Sequence, residues 1–302
     1  MRAVGDYLRV APFRLAAALC PRLPPGLGYR LAEWGGELYY RLSQAAARAV
    51  RQNARHALGP DANDTLVEGV VRQVFRNLGK NYYDLFRLAA EEAGQLNAQL
   101  DRVKWEHFHA ALALGRGVVA ASAHYGHPEW MMHAIPAAWG TPVLAVAEHL
   151  QPEQLYQYMV KLRSRPYLRF IPADGALLEI YRGLRRGEVV AVALDRDTTG
   201  SGVDVPFLGA NAHMPDGYAK LVARTRAPFV VGFARRLPDG QMHMEIDPPY
   251  VPPADASREQ VYAQALEIGV QALARAVSAH PDQWVLTTPI WDIDPKGPRL
   301  FL

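Results

Sequence analysis

The chain has 302 residues, half of them apolar and about a fifth charged, which excludes a disordered or low-complexity protein and leaves room for one large α/β domain or two smaller ones. Its single cysteine, Cys20, excludes an intrachain disulfide and reads as a packing residue in an Ala/Leu-rich stretch. The net charge of only +3 is unevenly placed, with nine arginines in residues 1–60 against Asp6, Glu33 and Glu37, and nucleic acid is not expected as a partner.

The first segment, "APFRLAAALCPRLPPGLGYRLAEWGGELYYRL", interleaves those arginines with apolar and aromatic side chains. Charge interrupts every window long enough to span a bilayer, so no crossing helix is expected. The stretch "FRLAAALCPRLP" half imitates a signal peptide. Arg14 cuts its apolar core short, and no small-x-small cleavage site follows. The segment is expected to lie on a membrane surface, a basic helical surface without a partner being the alternative. Residues 1–110 read as helices, because "PGLGYRLAEWGGELYYRLSQAAARAVRQNARHAL" and "DTLVEGVVRQVFRNLGKNYYDLFRLA" repeat apolar residues every three or four positions. "LGPDAND" separates the two with turn and capping residues.

From residue 115 short apolar runs alternate with helical patterns. Strands are expected at 117–123, 142–147, 168–172, 188–194 and 228–236. The last turns at Pro238-Asp239-Gly240 into "QMHMEID", a hairpin. Helices fit 128–138, 152–165, 175–186, 216–226 and 257–279. Strands apolar on both faces and separated by helices predict an α/β fold with a mostly parallel central sheet flanked by helices, behind an N-terminal helical region. The expected division is 1–110 as a helical, membrane-associating part and 111–302 as the α/β core, forming one continuous domain.

The stretch "VVAASAHYGHPEWMMHAI" carries the chemistry. His124 ends the first buried strand, and Pro128 suits the first turn of the next helix. Ligands in open α/β sheets gather at this end of the strands. A metal site would use His124, His127, Glu129 and His133, as in a metal-dependent hydrolase. Only Glu129 and His133 have the spacing of a helical ligand pair, however, and no second cluster completes them. A proton-transfer site needs only His124 as general base and Glu129 to orient its ring. No G-x-S-x-G nucleophile elbow is present, so the base would activate a hydroxyl of the substrate itself.

The H-x-x-x-x-E spacing after "SAH" resembles the motif of the glycerolipid acyltransferase superfamily. The branch it is most similar to holds the bacterial lipid A late acyltransferases and the phosphatidylinositol mannoside acyltransferases. The resemblance rests on a set of blocks in order: "AVAEHLQPEQLYQYMVKLRSR" with Arg163 at the family's arginine, "GLRRGEVVAVALDRD", "GVDVPFLGANAHMPDGYAKLVARTRAPFVV", and "HPDQWVLTTPIW" with its Pro-x-Gln-Trp. It runs from about 50 to 292. One departure is Tyr167, where the family usually has glycine. The resemblance implies transfer of a fatty acyl group from an acyl carrier protein or CoA thioester to a lipid or glycolipid hydroxyl, at the cytoplasmic face of the inner membrane and without a cofactor or metal. His124, Glu129 and Asp195 would be catalytic, Asp195 standing where the family brings an acidic residue to the histidine. Arg163 would bind a phosphate, Gly126 would lie near backbone oxyanion donors, and Arg196 would contact substrate. Pro215 and Gly217 would shape a loop walling the site.

Overall fold

A computed structural model of the chain describes residues 2–88, 100–175, 177–198 and 200–291. Residues 89–99 of the expected helical part and 292–302 at the end of the expected core lie outside the described residues.

Four helices come first: α1 (Arg2–Leu19), α2 (Pro25–Leu42), α3 (Gln44–Leu58) and α4 (Asp64–Leu88). Pro25 sits in the first turn of α2, where its missing N–H costs nothing. Ser43 closes α2 and caps α3, its hydroxyl accepting the Ala46 N–H at 3.4 Å. The three-and-four spacing seen in the sequence becomes a helical core, with Ala46, Ala47, Val50 and Ala54 of α3 against Val67, Val71, Val74 and Phe75 of α4. Helix α2 crosses α4 so closely that a Cβ on Gly36 would stand 2.1 Å from the Phe75 carbonyl oxygen. Among the described residues no helix is long and apolar enough to cross a membrane.

The α/β part follows with β1 (Leu100–Val103), α5 (Trp105–Leu112), β2 (Val118–Ser122), α6 (Pro128–Trp139), β3 (Val143–Ala147), α7 (Glu153–Arg163) and β4 (Leu168–Pro172). Next come α8 (Leu177–Arg185), β5 (Val189–Ala193), β6 (Val203–Phe207), β7 (Ala210–Met214), α9 (Gly217–Thr225), β8 (Phe229–Arg236), β9 (Met242–Ile246) and α10 (Arg258–Ala279). Seven strands form one sheet in the order β1-β9-β8-β2-β5-β3-β4. All neighbours run parallel except β8 and β9, the expected hairpin, which lies next to the edge strand β1. The fold is therefore the mostly parallel α/β sheet that the sequence predicts.

Alternate residues of the central strands enter opposite cores, which is why their sequences are apolar throughout. Val119, Val190 and Val231 pack with α9 and α10, whereas Val118, Val189 and Val230 pack with α5 and α6. Two features differ from expectation. Strand β1 falls inside the stretch read as helical; it is a four-residue edge strand, too short to show an alternation. The stretch "FLGANAHMPDG", expected as the loop that Pro215 and Gly217 shape, instead contributes β7 to the antiparallel ribbon β6–β7, in which Pro206 is tolerated because a two-stranded ribbon leaves one side of each strand unpaired.

At the turn from α7 into β4, Tyr167 stands in the left-handed region at φ +70°, and Arg165 and Leu168 exchange backbone hydrogen bonds of 3.0 Å around it. The conformation that glycine adopts freely is kept here with a side chain in place.

Candidate active site

Sheet register builds the site. Strands β2 and β5 pair with Ser122 opposite Ala193, and the Leu194 N–H reaches the Ser122 carbonyl at 2.8 Å. Two residues further along both strands, His124 and Asp195 emerge side by side at the carboxyl edge of the sheet. Asp195 is fully buried. Its Oδ1 meets the His124 ring Nδ1 at 3.0 Å, and its Oδ2 accepts the His124 backbone N–H and the Trp284 indole N–H, both at 2.9 Å.

Burial alone would raise the Asp195 carboxyl, but the adjacent His124 ring and these donors outweigh it and hold Asp195 below the usual carboxylate range. An ionised carboxylate only accepts, so the Nδ1 of His124 carries the ring proton and leaves the Nε2 lone pair free. The His124 side chain is 41% exposed, so Nε2 can meet a substrate.

The turn after His124 is fixed by backbone. The Gly126 N–H donates to the Gln283 carbonyl at 2.6 Å, the His127 N–H to the Ala234 carbonyl at 2.9 Å, and the Val285 N–H to the His124 carbonyl at 2.7 Å. Gly126 has φ +55°, and a Cβ there would fall 1.7 Å from the Ala234 carbonyl oxygen. Only glycine permits this turn. The Gly126 amide is engaged with Gln283, so Gly126 shapes the site by its backbone conformation and not as a free oxyanion donor.

Glu129, expected against the His124 ring, lies elsewhere, and Asp195 holds that place. Glu129 lies in the first turn of α6, and its carboxylate faces the last residue of α7. Arg163 grips it through Nε at 3.0 and 3.1 Å and through Nη2 at 2.7 Å. His133, one turn further on, lies 3.6 Å away. Burial would raise Glu129, yet the Arg163 charge and the His133 and Arg163 hydrogen bonds hold it well below the usual range. The Arg163 guanidinium also stacks over Phe170 at 4.2 Å. Among the described residues its Nη1 has no hydrogen-bond partner.

The remaining expected residues are less central. Arg196, just past β5, pairs at 2.8 Å with Glu148, just past β3. Pro215 and Gly217 frame the β7–α9 corner, where the buried Asp216 binds Tyr262 and Lys220. The four members of the possible metal cluster do not converge. His124 turns to Asp195, Glu129 to Arg163 with His133 at 3.6 Å beside it, and the buried His127 toward Asp84 at 3.8 Å. Among the described residues no group of three or more His, Cys, Asp or Glu could hold a metal ion. Trp284 is a site residue the chemistry of the sequence did not single out; its only signal was its place in the Pro-x-Gln-Trp block.

A mostly parallel α/β sheet thus carries at its carboxyl edge an imidazole hydrogen-bonded to a buried carboxylate, an arrangement suited to proton transfer. The chain belongs to the bacterial lipid A biosynthesis acyltransferase family, which matches residues 3–292, and is an acyltransferase. It is similar to a phosphatidylinositol mannoside acyltransferase of Mycolicibacterium smegmatis, 28% identical over 302 residues, covering 98% of this chain and 94% of the relative. A phosphatidylinositol mannoside acyltransferase of Mycobacterium tuberculosis is 31% identical over 303 residues, covering 97% and 90%.

Proposed function

We propose that this acyltransferase moves a fatty acyl chain from an acyl carrier protein or CoA thioester to a hydroxyl of a bacterial glycolipid, of the lipid A precursor or phosphatidylinositol mannoside type. His124 is the general base. The observation that carries the reading is the pairing of its Nδ1 with buried Asp195, on an imidazole whose side chain is 41% exposed. The acceptor hydroxyl oxygen attacks the thioester carbonyl carbon as its proton passes to Nε2. The tetrahedral oxyanion then collapses, the carbon–sulfur bond breaks, and the proton on Nε2 goes to the departing sulfur. Arg163, held on Glu129 and Phe170, serves a substrate phosphate or the oxyanion. Glu129 acts by fixing Arg163, a different part from the one the sequence assigned it. The glycolipid class draws support from the family and from the names of the two relatives.

The same proposal places the enzyme peripherally on the cytoplasmic face of the inner membrane, with residues 1–110 as the contact. Leu27, Leu31, Trp34, Leu38 and Leu42 recur on one face of α2 and are all exposed, Trp34 and Leu42 to 74%. Leu15 and Leu19 of α1 are exposed as well. An apolar face beside Arg22, Arg30 and Arg41 suits the boundary between headgroups and acyl chains. Helix α1 rests on α7 through the Tyr158 hydroxyl, which donates to the Phe13 carbonyl at 3.4 Å.

Mass spectrometry of lipids from host cells with and without the gene tests the function. The expected result is one glycolipid lacking one acyl chain in the deletion, restored by the wild-type gene and not by His124→Ala. An unchanged glycolipid profile would overturn the assignment.

A further inference from the structure

A second polar cluster, centred on buried Asp84, lies between the N-terminal helices and the catalytic turn. Asp84 of α4 is 2% exposed and accepts from the Arg236 Nη2 at 2.6 Å and from the Tyr29 hydroxyl at 2.8 Å. Arg236, the last residue of β8, also lies over the Tyr29 ring at 5.4 Å, and its backbone N–H donates to the Gln283 side chain at 3.1 Å. The same Nη2 stands 3.4 Å from Asn81 Oδ1. The other end of that amide, Asn81 Nδ2, donates to the Gly126 carbonyl at 2.5 Å.

Every other hydrogen bond described above on the 124–127 turn comes from backbone, apart from the Asp195 contacts. From the helical part, Asn81 donates to the backbone of this turn, and Asp84 stands 3.8 Å from the His127 ring. The Asn81 amide is held one way round: Oδ1 faces a guanidinium, which only donates, so Nδ2 must face the Gly126 oxygen. Arg236 is in turn fixed by Asp84, and Asp84 by Tyr29. A buried ion pair of this kind contributes little stability over a packed apolar pair, so what it delivers here is geometry.

We propose that Asn81, oriented by Asp84 and Arg236, is a positioning residue for His124, holding the Gly126 carbonyl and thereby the turn that aims the imidazole. This rests on His124 being the base. The α4 helix is then part of the catalytic assembly as well as of the helical layer.

The test uses the purified full-length protein in an acyl-transfer assay with an acyl thioester and a glycolipid acceptor. Asn81→Ala should lower kcat about 10- to 100-fold, the scale of a small misplacement of a reacting group, with the acceptor KM within about twofold of wild type. In an Asp195→Asn background, where the ring is already misdirected, Asn81→Ala should cause no further loss. Asp84→Asn, nearly isosteric, should show the same pattern and stands in if Asn81→Ala fails to fold. Wild-type kcat in Asn81→Ala or in Asp84→Asn, or the same fold-loss in both backgrounds, would overturn the positioning role while leaving the base in place. Wild-type activity in His124→Ala would instead remove the base, and the proposal with it.

Discussion

Asp195→Asn is the most discriminating single change, because the structure fixes what each atom of the new side chain would meet. Two of the three donors, the His124 backbone N–H and the Trp284 indole, converge on one oxygen, Oδ2. An asparagine oriented to keep both would place its oxygen there and its NH2 against His124 Nδ1. Nδ1 must then accept, so the ring proton moves to Nε2 and the base loses its lone pair toward substrate. Loss of the correct tautomer costs roughly 10³- to 10⁴-fold in kcat, about 4–5 kcal/mol of transition-state stabilisation. The fold should barely notice. Two charge-assisted hydrogen bonds become neutral ones, a loss of about 2 kcal/mol that lowers Tm by only a few degrees. A radiolabelled acyl-thioester assay under acceptor saturation reads kcat, and a thermal melt reads the fold. Retention of more than a tenth of wild-type kcat in a folded Asp195→Asn protein would refute the orientation argument.

Three further outcomes follow from the geometry. Burial lowers His127 from 6.5 to about 4, so the unfolded chain binds its proton first as pH falls. Stability should therefore be full above about pH 6.5 and decline toward pH 4, by about 3 kcal/mol from this residue; urea unfolding across that range should lose much of the slope in His127→Asn, and an unchanged slope would contradict it. Tyr167→Gly should raise stability or leave it level, despite the usual entropy cost of glycine, because it relieves a left-handed tyrosine by about 1–2 kcal/mol; a clear fall in Tm would show that the ring is needed. Replacing Trp34 and Leu38 by serine should weaken sedimentation with anionic vesicles by tenfold or more, since each large apolar side chain contributes about 1.5–3 kcal/mol when buried, and undiminished sedimentation would move the contact elsewhere.

The sheet was legible because its central strands are buried on both faces. Runs such as Val118–Ser122 and Val189–Ala193 are unbroken apolar stretches closed by turn residues, a pattern that helices on the surface do not give. Strand β1, "LDRV", carries two charges at a sheet edge and offers nothing to read. The ribbon β6–β7 was hidden by Pro206, Asn211 and His213, residues that mark loops elsewhere. At the site, His124 was legible from its place at a strand end, and Asp195 through the family resemblance. The pairing of Glu129 with Arg163, 34 residues apart, was not, because residue spacing cannot report how α6 and α7 face each other. Asn81 and Asp84 were the least visible, since polar residues on an amphipathic helix read as its solvated side. Only the placement of α4 against the catalytic turn buries Asp84 and brings Asn81 to Gly126.

The proposed reaction is acyl transfer from a thioester to a glycolipid hydroxyl with His124 as base. Its most direct measurement follows thiol release and acyl gain by the acceptor together, using purified wild-type protein and His124→Ala. One thiol should be released for each acyl chain gained by the glycolipid in the wild type, and neither event should rise above background in a folded His124→Ala protein. Thiol release without acylated acceptor, or equal transfer by His124→Ala, would contradict it.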